Sequence, residues 1–391
     1  MVSPTHTVQG AGETPCLAEQ KSQASLANLD DQLQDPVLCR QLLHRLEAAL
    51  SGLPGQSMRF MEVCGTHTVS IFQSGLRSLL PAGITHLSGP GCPVCVTHDA
   101  EVAAFLEMAA MDNVCLCTFG DLIRVPGPHG QSLKHAMARG ARVRIVYSPL
   151  ESLNIAEQNP QWTVVFLGIG FETTAPTVAA TILTARQRKL KNFCVFSLHK
   201  LVPPALKVLL SDSDAHIDAF LLPGHVAMVT GLAPFAFLAE DWHVPGCVAG
   251  FTPADILLAL CHLAEDLRDG TPRVQNAYAR AVPEHGNPRA QELVHTVFQP
   301  RDALWRGLGS ISESGLSLTS AFADMDALAR LGINLHETPP LPGCRCGEVL
   351  KGRIEPRDCP LFAKACTPLD PVGPCMVSTE GSCAAYYKYS L

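Results

Sequence analysis

The sequence has no stretch of about 18 apolar residues, so no helix able to cross a bilayer is expected. It has no basic stripe either. Its 29 Lys and Arg are outnumbered by 36 Asp and Glu, for a net charge of −7 and a pI of about 6.1. That balance argues against a nucleic-acid surface and gives no attraction to an anionic membrane. Residues 1–35 lack the apolar segment of a secretory signal and read as a flexible N-terminal extension containing Cys16. A cytoplasmic location is the expectation. Charged residues make up only 17% of the chain and hydrophobic ones 47%, which excludes global disorder and leaves ample material for a core.

What is present is cysteine. Six of the sixteen lie from Cys344 onward: Cys344, Cys346, Cys359, Cys366, Cys375 and Cys383. In a reducing compartment such a tail reads as metal-binding rather than as a disulfide framework.

The 391 residues exceed one ordinary domain. Helical spacing begins after Pro36, with Leu38, Leu42, Leu43, Leu46 and Leu50 on one face. Beyond it, short apolar runs alternate with glycine-rich loops and amphipathic segments. Strands are predicted at 60–63, 84–87, 114–118, 143–147, 164–167, 193–196 and 219–222. Helices are predicted at 100–111, 132–139, 177–189, 203–210 and 253–267. This alternation predicts an α/β fold with parallel sheets. The expected architecture is two Rossmann-like parallel-sheet domains, 36–150 and 151–340, with 251–335 mainly helical. A small C-terminal iron–sulfur domain follows, 341–391, beyond the break at Pro339, Pro340, Pro342 and Gly343.

The reactive residues fall where strands should end, the place where open α/β sheets bind ligands. Cys64-Gly65-Thr66-His67 puts a thiol and an imidazole on one side of a first helical turn, where amide groups favour a thiolate. Cys64 reads as an iron ligand or nucleophile, or more blandly as a buried cysteine beside a cap. Cys92-Pro93-Val94-Cys95 reads as a redox dithiol, an iron ligand pair or half of a zinc site. Cys115 and Cys117, alternating in an apolar run, read as core. Gly168-Ile169-Gly170 lacks the third glycine of a dinucleotide fingerprint, because position 173 is Thr. Glu172 and Thr173 can instead supply a proton-transfer carboxylate and hydrogen bonds, or simply cap a helix. His225, after Pro223-Gly224, is a further candidate for orienting a ligand.

The tail cysteines are separated by 1, 12, 6, 8 and 7 residues, with no histidine among them. These gaps are too long and even for paired zinc knuckles, and favour a [4Fe–4S] cluster over a four-cysteine zinc site. Cys359, Cys366 and Cys383 are the expected ligands. Cys375 is taken as the fourth, with Cys344 or Cys346 as replacements.

Together these loops resemble the HypD family of hydrogenase maturation proteins. The resemblance rests on Met61–Thr68, Gly89–Cys95, Phe119–Gly127, Gly170–Pro176, Leu222–Val226, Trp305–Gly309, and Cys375–Ser378 with Cys383–Tyr387, in order over residues 36–391. It implies a scaffold for the Fe(CN)2CO unit of [NiFe] hydrogenases, built as two α/β domains and a small [4Fe–4S] domain. It also implies a HypC-type chaperone and HypE as partners, with HypF and the hydrogenase large subunit involved indirectly. On this resemblance Cys64 holds iron, with a chaperone cysteine as its partner ligand. Cys92 and Cys95 are iron-associated or redox thiols, and the tail cluster passes electrons to them. Residues 1–35 and Thr66, where some members have glycine, depart from the pattern. An iron–sulfur dithiol/disulfide oxidoreductase of the ferredoxin–thioredoxin reductase kind uses the same chemistry and is the competing reading. A zinc protein with an unrelated cleft is the third.

Overall fold

The computed structural model describes residues 33–390, so Cys16 and the expected flexible extension lie almost wholly outside the described residues. Eleven strands are described. β1 (Met58–Glu62), β2 (Ile84–Ser88), β7 (Ala219–Pro223), β8 (Gly246–Ala249) and β9 (Val274–Asn276) form one sheet in the order β2-β1-β7-β8-β9. β3 (Val114–Thr118), β4 (Arg142–Ile145), β5 (Thr163–Gly170) and β6 (Phe193–His199) form a second, ordered β4-β3-β5-β6. Every pairing in both sheets is parallel. β10 (Phe298–Trp305) and β11 (Gly309–Leu318) form a separate antiparallel hairpin.

The strands are short apolar runs because both faces of each parallel sheet are covered. The helices Pro36–Ser51 and Pro253–Asp269 bury Leu46, Leu50, Ile256 and Leu260 against one face of the five-stranded sheet. The helices Glu151–Gln158 and Ala175–Gln187 cover the four-stranded sheet with Leu153, Val178 and Ile182. The largest core is shared: Met61, Phe220 and Leu222 of the first sheet join Leu116, Val165 and Phe196 of the second.

Two expectations are corrected. A boundary at residue 150 would cut the four-stranded sheet between β4 and β5, and the five-stranded sheet takes strands from both sides of it. The two α/β units are interleaved because pairing of β1 with β7 is set by long-range burial, which local periodicity does not record. The segment 251–335 is not mainly helical either. It contains β9 and the hairpin, whose turn is the glycine-rich Arg306-Gly307-Leu308 between Trp305 and Gly309.

The C-terminal segment is docked, not detached. The helix Ser382–Ser390 lies on the helix Gly65–Gln73, with the Phe72 and Tyr386 rings 4.7 Å apart. Arg77 stands over the Tyr386 ring and pairs with Glu355 at 2.6 Å.

Candidate functional site: a line of thiols

Cys64 ends the β1 loop and caps the helix Gly65–Gln73. It is only 8% exposed. Burial pushes its thiol up to about 12, against the pull of the His67 and Thr66 backbone amides; Glu62 and Glu380 add a further push upward. The fully buried Glu62 ties the loop down: one carboxylate oxygen accepts the Cys64 N–H at 2.9 Å and the other the Thr68 hydroxyl at 2.5 Å. Sequence reading passed over Glu62, although a charge within an apolar strand is a signal of internal use.

His67 is completely buried. Its Nε2 donates to the Gly250 carbonyl at 2.9 Å, which leaves Nδ1 as an acceptor with no partner. Burial lowers its pKa to about 4, so the imidazole is neutral near pH 7. Phe251 gathers the two candidate histidines, with ring centroids 4.8 Å from His67 and 4.1 Å from His225. Burial also lowers His225. Phe251 was not singled out from sequence, and a lone phenylalanine offers no signal there.

The Cys92 loop lies directly on the Cys64 loop. The Gly65 N–H donates to the Gly91 carbonyl at 2.8 Å. Cys92 and Cys95 are joined as a disulfide at the start of the short helix Pro93–Val96. The dithiol reading fits this geometry. Direct iron ligation by Cys92 and Cys95 does not fit this state, because each sulfur is bonded to the other.

The loop after β5 joins the Cys92–Cys95 side of the arrangement, sharing a core cluster with both cysteines through Ile169 and Phe171. Glu172 accepts the Val202 N–H at 2.8 Å, and its second carboxylate oxygen is buried without a partner. Burial raises it to about 7. Thr173 is half-buried beside it, and the Thr174 hydroxyl turns back to the Phe171 carbonyl rather than capping the following helix. Among the described residues, no hydrogen bond or ring contact links Glu172 or Thr173 to Cys64. The loops after β1, β2, β7 and β8 converge, while the β5 loop packs its Phe171 ring on Trp305, which bridges Thr97 just beyond the Cys92–Cys95 helix. Cys115 and Cys117 are fully buried in β3, as expected of core residues.

All six tail cysteines line one pocket, together with Val349, Phe362 and Met376. Cys346 and Cys375 are bonded to each other. Cys344, Cys359, Cys366 and Cys383 are free. Burial raises Cys383, and the nearby charges of Cys344, Cys366 and Cys359 each raise it further. The expected ligand Cys375 is thus committed to a disulfide, and Cys344 takes its place among the free thiols. Four free thiols in one pocket are the donor set of an iron–sulfur cluster or a four-thiolate metal site. Among the described residues no group of three or more His, Cys, Asp or Glu side chains forms a ready-made site for a single ion.

The tail and the Cys64 loop interlock. Thr66 Oγ1 donates to Glu380 at 3.0 Å, and the Ser378 hydroxyl donates to Asp121 at 2.9 Å. Cys95 Sγ lies 4.0 Å from the carbonyl oxygen of Pro374, the residue before Cys375. The segments carrying Cys64, the Cys92–Cys95 pair and the tail cysteines therefore adjoin one another.

Two interleaved parallel sheets carrying these thiols define a thiol-based α/β protein. Comparison with known proteins narrows the class. The family model for HypD, described as the hydrogenase formation hypA family, matches residues 37–390. The hydrogenase maturation factor HypD of Escherichia coli K12 is 45% identical over 363 residues, covering 92% of this chain and 97% of that protein. HypD of Rhodobacter capsulatus is 43% identical over 366 residues, with coverages of 92% and 97%. The hydrogenase expression/formation protein HupD of Azotobacter chroococcum is 42% identical over 365 residues. The chain belongs to the HypD family of hydrogenase maturation factors.

Proposed function

We propose that this chain is a scaffold on which iron acquires cyanide and carbon monoxide for [NiFe] hydrogenases, served by an internal thiol relay. The observation that carries this reading is the gathering of Cys64, two cysteine pairs and a four-thiol pocket: the Gly65 N–H meets the Gly91 carbonyl, and Cys95 Sγ lies 4.0 Å from the Pro374 carbonyl beside Cys375. The cargo iron binds at Cys64, with a cysteine of a HypC-type chaperone as the partner ligand. HypE delivers cyanide made with HypF, and the hydrogenase large subunit is the destination. The setting is the cytoplasm.

Cys64 gives up its proton when it takes iron, and the Thr66 and His67 amides stabilise the thiolate. His67 offers Nδ1 as a fixed acceptor beside the cargo, and Phe251 holds it and His225 in register. Cys344, Cys359, Cys366 and Cys383 would hold a [4Fe–4S] cluster, which when bound supplies single electrons. Two electrons and two protons open Cys346–Cys375 to two thiols. One of those thiolates attacks the Cys92–Cys95 bond to form a mixed disulfide. The second resolves it, which re-forms Cys346–Cys375 and leaves Cys92 and Cys95 reduced beside Cys64.

The test is anaerobic co-purification of the Cys64→Ala variant with its chaperone. The infrared bands of iron-bound cyanide and carbon monoxide should disappear. Their persistence unchanged would falsify ligation by Cys64. The two disulfides, with Cys95 Sγ beside the residue before Cys375, also suit a disulfide oxidoreductase. Turnover of a protein disulfide without cyanide bands would favour that reading.

A further inference from the structure

The two disulfides do not meet symmetrically. Cys95 Sγ lies 4.0 Å from the Pro374 carbonyl oxygen, so Cys375, the next residue, is the tail cysteine beside Cys95. Cys346 is held off by the hairpin turn. The Arg306 N–H donates to the Val96 carbonyl at 2.9 Å and Trp305 bridges Thr97, so the turn covers the end of the helix Pro93–Val96. The next turn residue, Gly307, is pressed on Gly347: a methyl group at Gly307 would come within 2.3 Å of the Gly347 Cα. Arg306 and Gly307 therefore stand between Val96 and the start of the helix Cys346–Leu350. Cys346 shares a wall with Cys344 instead. A methyl group on Gly373 would lie 2.5 Å from Cys344 Sγ and 3.9 Å from the Cys346 Cβ.

The Cys92–Cys95 pair is asymmetric as well. The Cys95 N–H donates to Cys92 Sγ at 3.2 Å, so Cys92 already holds a donor that stabilises a departing thiolate. All four cysteines are buried in one core cluster with Trp305, which keeps soluble thiols out and leaves the two pairs to react with each other.

We propose that electrons pass between the pairs through one mixed disulfide, Cys375–Cys95, with Cys375 attacking, Cys92 leaving and Cys346 resolving. This rests on the reading of the two pairs as a thiol relay. Once the tail pair is reduced, the Cys375 thiolate forms a bond to Cys95 Sγ. The Cys92–Cys95 bond breaks, and its electron pair goes to Cys92, whose thiolate keeps the Cys95 N–H. The Cys346 thiolate then bonds to Cys375 Sγ, and the Cys375–Cys95 bond breaks with its electron pair going to Cys95. The protons released by Cys375 and Cys346 end on Cys92 and Cys95, so two electrons and two protons have moved and no outside oxidant takes part.

The experiment takes the full chain in its disulfide form with single serine substitutions. Thiols are trapped with N-ethylmaleimide in denaturant at low pH, and the peptides are mapped by mass spectrometry. Cys346→Ser leaves Cys375 free and should yield a Cys95–Cys375 linked peptide, with Cys92 labelled in equal amount. Cys375→Ser leaves Cys346 free, and there Cys92–Cys95 should stay closed. The mirror variants read the same bond from the other side and decide the matter if Cys346→Ser fails to fold. Cys92→Ser should give the Cys95–Cys375 link and a labelled Cys346, whereas Cys95→Ser should leave Cys346–Cys375 closed. A link from Cys346 to either loop cysteine, or from Cys375 to Cys92, overturns the assignment while the relay stands. Native pairs that stay closed in all four variants overturn both.

Discussion

Gly91 and Cys64 touch backbone to backbone: a methyl group on Gly91 would lie 2.2 Å from the Cys64 nitrogen. No side chain fits there, so the two cysteine loops approach as closely as polypeptide allows. Gly91→Ala must push the Cys64 loop away, at a cost of about 3 kcal/mol. Urea unfolding should show the lowered midpoint. Alkylation of Cys64 in the native protein should accelerate relative to the parent; an unchanged rate would contradict the contact.

The four-thiol pocket makes a clear distinction between neighbours. Cys344→Ser should abolish bound iron and sulfide after reconstitution, whereas Cys375→Ser should retain them and lose only the Cys346–Cys375 bond. Iron and sulfide analysis with a count of free thiols decides the matter. The opposite pattern would return Cys375 to the ligand set.

Lys200 and Glu101 form a fully buried ion pair at 2.6 Å. Lys200→Met leaves a carboxylate in the core without its cation, and should cost about 3–5 kcal/mol. Adding Glu101→Leu should recover most of the loss, because the uncompensated charge is gone. Chemical denaturation of the two variants checks both steps.

Glu172 gives a pH dependence of unusual sign. Burial raises its folded pKa to about 7 from an ordinary value near 4.5. The folded state therefore holds the proton more tightly than the unfolded state. Its contribution is fully present below about pH 4.5 and is lost as pH rises through about 7, a change of about 3 kcal/mol. In Glu172→Gln that slope should vanish from the stability–pH profile. His67 acts in the other direction, since its pKa is lowered to about 4. Its contribution is present above about pH 6.5 and is lost as pH falls toward 4, so replacing it should flatten the acid side.

Much of this arrangement was legible from residues alone. β3 was predicted with the bounds it has, and the apolar runs at 60–63, 164–167 and 219–222 mark β1, β5 and β7. Strands buried on both faces carry continuous apolar runs, and such runs survive as sequence pattern. β8 and β9 are only four and three residues long, too short to show a period. The interleaving was hidden because nothing near Ala219 reports that its strand will pair with β1. The cysteine loops announced themselves by composition, whereas the choice between Cys344 and Cys375 did not. Disulfide connectivity depends on three-dimensional proximity, and spacing alone does not encode it. Phe251 gains its role from His67, distant in sequence, whereas Glu62 acts on Cys64 and Thr68 close by in the chain.

The interleaved sheets also have a consequence for synthesis on the ribosome. β1 and β2 emerge with Cys64, Cys92 and Cys95, but β7, the other neighbour of β1, emerges only after the whole four-stranded sheet. The helix Pro36–Ser51 waits longer still for its packing partner, Pro253–Asp269. A nascent chain therefore displays its reactive thiols well before the walls around them exist. The Cys64 environment is completed last, when Glu380 closes over Thr66, so an unfinished chain offers cysteines but no finished pocket in which to hold a metal cargo.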